Sequence, residues 1–247
     1  MKKPLINFLL ALACIIALSA PASAEWFVDL FVGPAFTQNE DVVLTQTGFK
    51  ARLKDMDFAT YALFGGRAGY WFESTPYLGL GVDVSHFRPD IGNQTVTGCF
   101  SGAFVGCFFP TQIFHIDLSV TGISFDAMFR WPLMTSKEFP KGQLQPYLTL
   151  GPTIFVAQAK DSRAPLSNFI PGSQSETDTS VGVKVGTGIA WQFHRNVALF
   201  GEYRFTHFAP KFDTRSLDVA TSTSIVSSPM TTDINTHSAV FGVSLRY

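Results

Sequence analysis

Three groups of residues in this chain could do chemistry: a close pair of cysteines, five histidines, and a set of charged side chains embedded among glycines and apolar residues. Cys99 and Cys107 lie within Thr97-Gly98-Cys99-Phe100-Ser101-Gly102-Ala103-Phe104-Val105-Gly106-Cys107. In an oxidising compartment an even pair at this spacing predicts a disulfide. A metal site would need further Cys or His ligands close by, and none is there. His86, His115, His194, His207 and His237 show neither metal-ligand spacing nor an obvious nucleophile partner. Asp29, Asp83, Asp126 and Glu202 and the bases Arg67, Arg130, Lys184, Arg204 and Arg246 all occupy one phase of an alternating pattern whose other phase is apolar. A buried charge is costly unless paired, so near-balanced charge on one face predicts a paired internal network.

The elements that place these charges are strands. Eight alternating segments can be drawn, at 26–36, 58–71, 77–87, 122–131, 146–158, 181–193, 197–208 and 237–247. Side chains of a strand alternate between its faces. Val28, Leu30 and Val32 thus oppose Asp29 and Gly33, Leu80, Val82 and Val84 oppose Gly81, Asp83 and Ser85, and Phe125 and Phe129 oppose Asp126 and Arg130. The connections alternate between long and shorter: 37–57, 88–121, 159–180 and 209–236 are long, whereas 72–76 and 194–196 are tight and 132–145 is intermediate. Arg67, Asp83, Asp126 and Glu202 fall at similar heights, and a turn centred near Thr75 would put Arg67 opposite Asp83 in a salt bridge. Around Val120 to Gly122 the alternation changes phase, which predicts a bulge.

The apolar phase points to lipid. Charged residues make up 15% of the chain against a usual ~25%, while aromatics reach 14%, as suits a wall that faces a membrane. Trp26, Trp71, Trp131 and Trp191, with Tyr70, Tyr77, Tyr147, Phe193 and Tyr247, gather at one end of the strands and predict an interfacial belt. Lys2 and Lys3, the apolar run Leu5 to Leu18 and the small-residue stretch Ala22-Ser23-Ala24 read as a cleaved signal peptide over residues 1–24. Removing those two of the 18 basic residues leaves 16 against 19 acids, a formal charge of −3 that suggests no nucleic-acid partner. The expected fold of residues 25–247 is all-β, an eight-stranded antiparallel up-and-down transmembrane β-barrel, since only closed strands satisfy their backbone inside lipid.

The end of the chain, with Phe241, Val243, Leu245 and Tyr247 on one face, looks like the last strand of a bacterial outer-membrane barrel and its assembly signal. Together with Phe64-Gly65-Gly66-Arg67-Ala68-Gly69-Tyr70-Trp71, Tyr147-Leu148-Thr149-Leu150-Gly151-Pro152 and Gly201-Glu202-Tyr203-Arg204-Phe205, it resembles the outer-membrane β-barrel domain family, which includes OmpA-like barrels and small surface adhesins. The resemblance implies the bacterial outer membrane as location. Its lipids, the barrel assembly machinery and periplasmic chaperones would be partners, and no cofactor is implied. The expected role is structural or surface-interacting, through long outer loops with an unidentified ligand and without catalysis. One stretch, Glu202-Tyr203-Arg204-Phe205-Thr206-His207-Phe208-Ala209, resembles the His-x-Ser segment of the lipid A deacylases, in which His207 would be the base. Ala209 stands where that family has its serine. The other alternative is a narrow ion or solute channel, against which an eight-stranded barrel is only just wide enough for its own side chains.

Overall fold

Alternation of branched or aromatic residues with small or charged ones commits the chain to strands and gives each strand two unlike faces. The structure is a computed structural model that describes residues 25–46, 48–102, 105–113, 115–161, 174–217 and 225–247. The expected signal segment, residues 1–24, lies outside the described residues. In chain order the described strands are β1 (Glu25–Thr37), β2 (Glu40–Gln46), β3 (Phe49–Met56), β4 (Tyr61–Trp71), β5 (Leu78–Phe87), β6 (Gln94–Gly102) and β7 (Gly106–Ile113). They continue with β8 (Ile116–Arg130), β9 (Leu144–Asp161), β10 (Gln174–His194), β11 (Val197–Phe208), β12 (Lys211–Leu217), β13 (Ile225–Thr232) and β14 (Ile234–Arg246).

Eight of these form a closed antiparallel barrel in the order β1-β14-β11-β10-β9-β8-β5-β4, with β4 pairing back onto β1. This is the expected fold. The seam between the first and last strands is sealed at its lower end by Trp26 and Tyr247, each amide donating to the other's carbonyl at 3.1 and 2.9 Å.

The outer connections differ from expectation. They contain hairpins, β2 with β3, β6 with β7 and β12 with β13, which join in one six-stranded sheet of order β12-β13-β2-β3-β6-β7. Each hairpin grows from neighbouring barrel strands, so the sheet repeats the barrel order β11, β14, β1, β4, β5, β8 and continues the wall upward. On the remaining side β9 and β10 do the same by running on together, Ile154↔Val181 through Asp161↔Gln174. No bulge occurs at Val120 to Gly122, since β5 and β8 keep one register from Phe87↔Val120 to Leu78↔Phe129. The phase change has another cause. Leu118 and Val120 point inward because the interior at that height is apolar, shared with Val42, Leu53, Met56, Phe87 and Phe155.

The aromatic belt also needs correction. Trp131, Trp191, Tyr77, Phe193 and Tyr247 face outward, but Trp71 and Tyr147 are 4% and 5% exposed and point into the lumen. Their strand parity requires it: Trp71 shares a face with Arg67 and Gly69, and Tyr147 lies between outward Pro146 and Leu148. Inward glycines make the space for them. The ideal Cβ positions of Gly69, Gly79, Gly188 and Gly242 lie 2.4 to 2.7 Å from ring atoms of Phe27, Trp71, Tyr147 and Phe200 respectively. Gly65 similarly receives Phe31, 2.7 Å from its ideal Cβ. These glycines are sockets for rings of the adjacent strand, the close approach for which strand glycines are suited. At the end of the barrel with the short connections, Gly142 lets connection 131–143 double back with φ +89°, a conformation that residues with a Cβ rarely adopt.

Filling a socket should strain the barrel. Gly242→Ala places a methyl 2.3 Å from the Leu30 carbonyl oxygen and 2.5 Å from the Phe200 ring, whereas Gly201→Ala meets ordinary contacts of 3.4 Å or more. Gly242→Ala is expected to lower stability by about 1–3 kcal/mol and Gly201→Ala to have little effect. Urea unfolding in detergent micelles, followed by the gel shift between folded and boiled protein, measures both.

Candidate functional site: the filled lumen and the outer histidines

The narrowness of the barrel brings the inward charges together. Arg67 on β4 donates Nε and Nη2 to Asp29 Oδ2 on β1 at 2.9 and 2.8 Å, and Nη1 to Glu202 Oε2 on β11 at 3.0 Å. Arg204 Nε donates to the other oxygen of Glu202, and its Nη1 lies 3.1 Å from Asp83 Oδ2 on β5. Lys184 Nζ on β10 is 3.0 Å from the same Asp83 oxygen and donates to Asp126 Oδ2 on β8 at 2.6 Å. Ser124 Oγ donates to Asp126 Oδ1. The result is one alternating chain across the lumen, Asp29–Arg67–Glu202–Arg204–Asp83–Lys184–Asp126, every member at most 3% exposed.

Arg67 and Asp83 are register partners, as the turn position implies, yet the salt bridge expected between them does not form. Arg67 has Asp29 as its register partner on the other side. Its planar fork takes Asp29 with two nitrogens and still reaches Glu202 across the lumen. Asp83 is taken from the far wall by Lys184 and Arg204. The correct row was readable from one hairpin, but the pairing is decided by residues that only closure of the barrel brings opposite.

Aromatic faces line this chain, in which Asp29 Oδ1, Asp83 Oδ1 and Arg204 Nη2 are buried without a hydrogen-bond partner. The guanidinium carbon of Arg204 lies 3.9 Å from the centre of the Phe31 ring, and that of Arg67 lies 5.5 and 5.7 Å from the rings of Tyr147 and Phe200. Tyr147 also donates its hydroxyl to Glu202 Oε2 at 2.7 Å.

Arg130 is not part of this layer. It sits one level nearer the periplasm, where its Nη2 donates to Glu25 Oε2 at 2.6 Å and its Nε to the Pro76 carbonyl at 2.7 Å. Arg246 donates to Gln145 Oε1 at 2.7 Å, and Lys141 from the connection beneath reaches Glu25 at 3.3 Å. Phe27, Trp71 and Met128 pack between the two layers. The described residues there line a cavity of 20 Å3, about enough for one water. Glu25, Gln145 and Tyr147 were missed in the sequence. Glu25 shares the phase of Asp29 on β1, and Gln145 and Tyr147 share the phase opposite to the apolar Leu148 and Leu150 on β9, so the alternation of each strand carries the signal.

Above and outside, the structure places the remaining sequence candidates apart from the lumen. Cys99 and Cys107 form a disulfide between β6 and β7. His207 near the end of β11 and Ala209 just beyond it are both exposed, and His207 Nδ1 is 2.8 Å from Asn235 Oδ1. His237 lies between Tyr203 and Gln38, bonded to both. Phe241, Val243, Leu245 and Tyr247 are all outward and 40–72% exposed. Among the described residues no group of three or more His, Cys, Asp or Glu could hold a metal.

An apolar outer wall around a charged, filled interior defines an integral β-barrel of the membrane-spanning kind. The chain belongs to the outer membrane protein beta-barrel domain family, whose model matches residues 10–247. Among solved structures it is similar to Neisserial surface protein A, at 15% identity and TM-score 0.51, covering 90% of this chain and 97% of that one. It is likewise similar to the outer membrane protein OprG from Pseudomonas aeruginosa, at 11% identity and TM-score 0.52, covering 92% and 96%. At such identities the likeness is one of fold. No curated protein matches the sequence. The protein is therefore one of the bacterial outer membrane, seated in its lipids.

Breaking the ionic chain in one place leaves its buried neighbours with one counter-charge where they had two. Arg204→Met, which leaves Glu202 to Arg67 and Asp83 to Lys184 and puts four acids of the chain against two bases, is expected to cost about 3–5 kcal/mol of barrel stability. Adding Glu202→Gln and Asp83→Asn to it should recover much of the loss. Denaturant midpoints of the three proteins in micelles decide the matter, and an unaltered midpoint for Arg204→Met would show the chain to be dispensable.

Proposed function

We propose that this protein is a closed, non-catalytic scaffold of the outer membrane whose biological contacts are made by its external sheet. The observation that carries the reading is the filling of the lumen by the described residues. From Glu25 through the Phe27, Trp71 and Met128 layer to the ionic chain and the apolar core above it, each level is occupied by side chains. That fill supports a plug over an ion or solute channel. Position 209 supports a non-enzymatic role: next to the outward His207, Ala209 offers no hydroxyl for attack on an ester.

The functional surface is then the one that a rigid scaffold presents outward. The β12-β13-β2-β3-β6-β7 sheet is a continuation of the barrel wall, and the Cys99–Cys107 bond pins the hairpin at its β7 edge. We assign Phe241, Val243, Leu245 and Tyr247 to recognition by the barrel assembly machinery, with periplasmic chaperones delivering the chain. Residues 1–24 we assign to a signal peptide removed on export.

Planar-bilayer recording of the folded protein tests the plug. The expected trace has no steady current. A steady conductance that rises in Asp83→Asn would replace the scaffold with a gated channel, and release of acyl chains from lipid A by the purified protein would replace it with an enzyme. For the outer surface, deletion of the β6–β7 hairpin should abolish binding of displaying cells to their target surface while the heat-dependent gel shift of the barrel persists. Persistent binding would move the contact away from that hairpin.

A further inference from the structure

The outward face of β5, β8 and β9 can be read as a height scale. Leu78, Phe129 and Leu148 form one row of register partners near the periplasmic turns. Ten residues higher on each strand the outward residues are Arg88, just beyond the end of β5, Ser119 and Gln158, the last two again partners. Ten residues span about 33 Å of strand, or about 25 Å along the membrane normal for a strand tilted by ~40°. That is about the height of the apolar band of an outer-membrane barrel. The outward residues agree: Val84, Ile123 and Ile154 form the last fully apolar row, followed by His86 and Thr121, bonded at 3.0 Å, and then by the Arg88 row.

At this level a cleft of 210 Å3 opens among Arg88, Asp90, Asp117, Ser119, Gln158 and Lys160. Its charges are unevenly engaged. Asp90 Oδ1 accepts the Leu118 amide at 2.7 Å, and Asp117 Oδ1 lies 2.9 Å from His115 Nε2. Arg88 and Lys160 are both exposed, and neither forms an ion pair among the described residues, although Lys160 is the register partner of Asp117. Two unengaged cations therefore flank a polar cleft that carries a hydroxyl and an amide, at the level where the hydrocarbon gives way to headgroups.

We propose that this cleft binds the phosphorylated headgroup of an outer-leaflet lipid. Arg88 and Lys160 hold phosphate oxygens from two sides, Ser119 and Gln158 donate to the phosphate or its sugar, and the acyl chains run down over Val84, Ile123 and Ile154. The guanidinium fork and the ammonium are the usual phosphate ligands. The membrane supplies the ligand at the right height, so no soluble anion is needed.

The test uses full-length folded protein in phosphatidylcholine nanodiscs containing either diphosphorylated or dephosphorylated lipid A, with bound lipid counted by native mass spectrometry. Wild type is expected to retain the diphosphorylated form at least about tenfold better than the dephosphorylated one, and R88Q/K160Q to lose that preference. The variant's heat-dependent gel shift controls for folding, since both residues are exposed and outside the lumen. Equal retention of the two lipids by wild type, or an undiminished preference in R88Q/K160Q, overturns the assignment. A preference that excess inorganic phosphate abolishes also overturns it, by marking a general anion site rather than a lipid site.

Discussion

The constraint on which the rest of the structure depends is the width of an eight-stranded barrel. Its lumen holds side chains and little else, so each inward charge must find its counter-charge within reach and without bulk water. An alternating chain meets that demand. Each interior member of Asp29–Arg67–Glu202–Arg204–Asp83–Lys184–Asp126 touches an opposite charge on both sides, and the chain ties β1, β4, β5, β8, β10 and β11 to one another through the middle. Backbone pairing links a strand only to its two neighbours. The ionic chain adds links across the diameter, and these discriminate against a one-residue slip, which would turn every charge out into lipid.

The glycines serve the same constraint. A lumen this narrow cannot seat Phe27, Phe31, Trp71, Tyr147 and Phe200 unless the facing positions are bare, and Gly69, Gly65, Gly79, Gly188 and Gly242 are those positions. An inner wall rich in glycine therefore need not mean open space. Here the rings that fill it also lie against the guanidinium groups of Arg67 and Arg204, so packing and charge solvation are performed by one set of side chains.

Most of the barrel was legible because its period is local. Alternation along β5 alone separates Leu80, Val82 and Val84 from Gly81 and Asp83, and two such strands with a short turn set Arg67 opposite Asp83. What was not legible depends on closure. Glu202 reaches Arg67 from β11, more than a hundred residues away, and no hairpin register announces it. Trp71 and Tyr147 differ for another reason: their composition suits the interface, but the parity of their own strands turns both rings into the lumen. The upper hairpins were hidden because their inward residues, such as Val42, Leu53 and Phe212, pack against a core that exists only when the hairpins come together.

That apolar core explains the division of the molecule. Below Phe31 the interior is ionic and specific; above it, Phe155 stacks on Phe208 at 4.1 Å and the interior is mainly apolar. A sheet outside the membrane has water on its outer face, so its inner face needs such a core, just as a soluble sheet does. The hairpins therefore stand on the barrel as a body with an interior of its own, continuous with the lumen below. This arrangement fixes the outer surface relative to the membrane plane. Any group on the rim, the Arg88 and Lys160 pair included, is held at a defined height above the lipid, and height is what allows a barrel to distinguish a headgroup from an acyl chain.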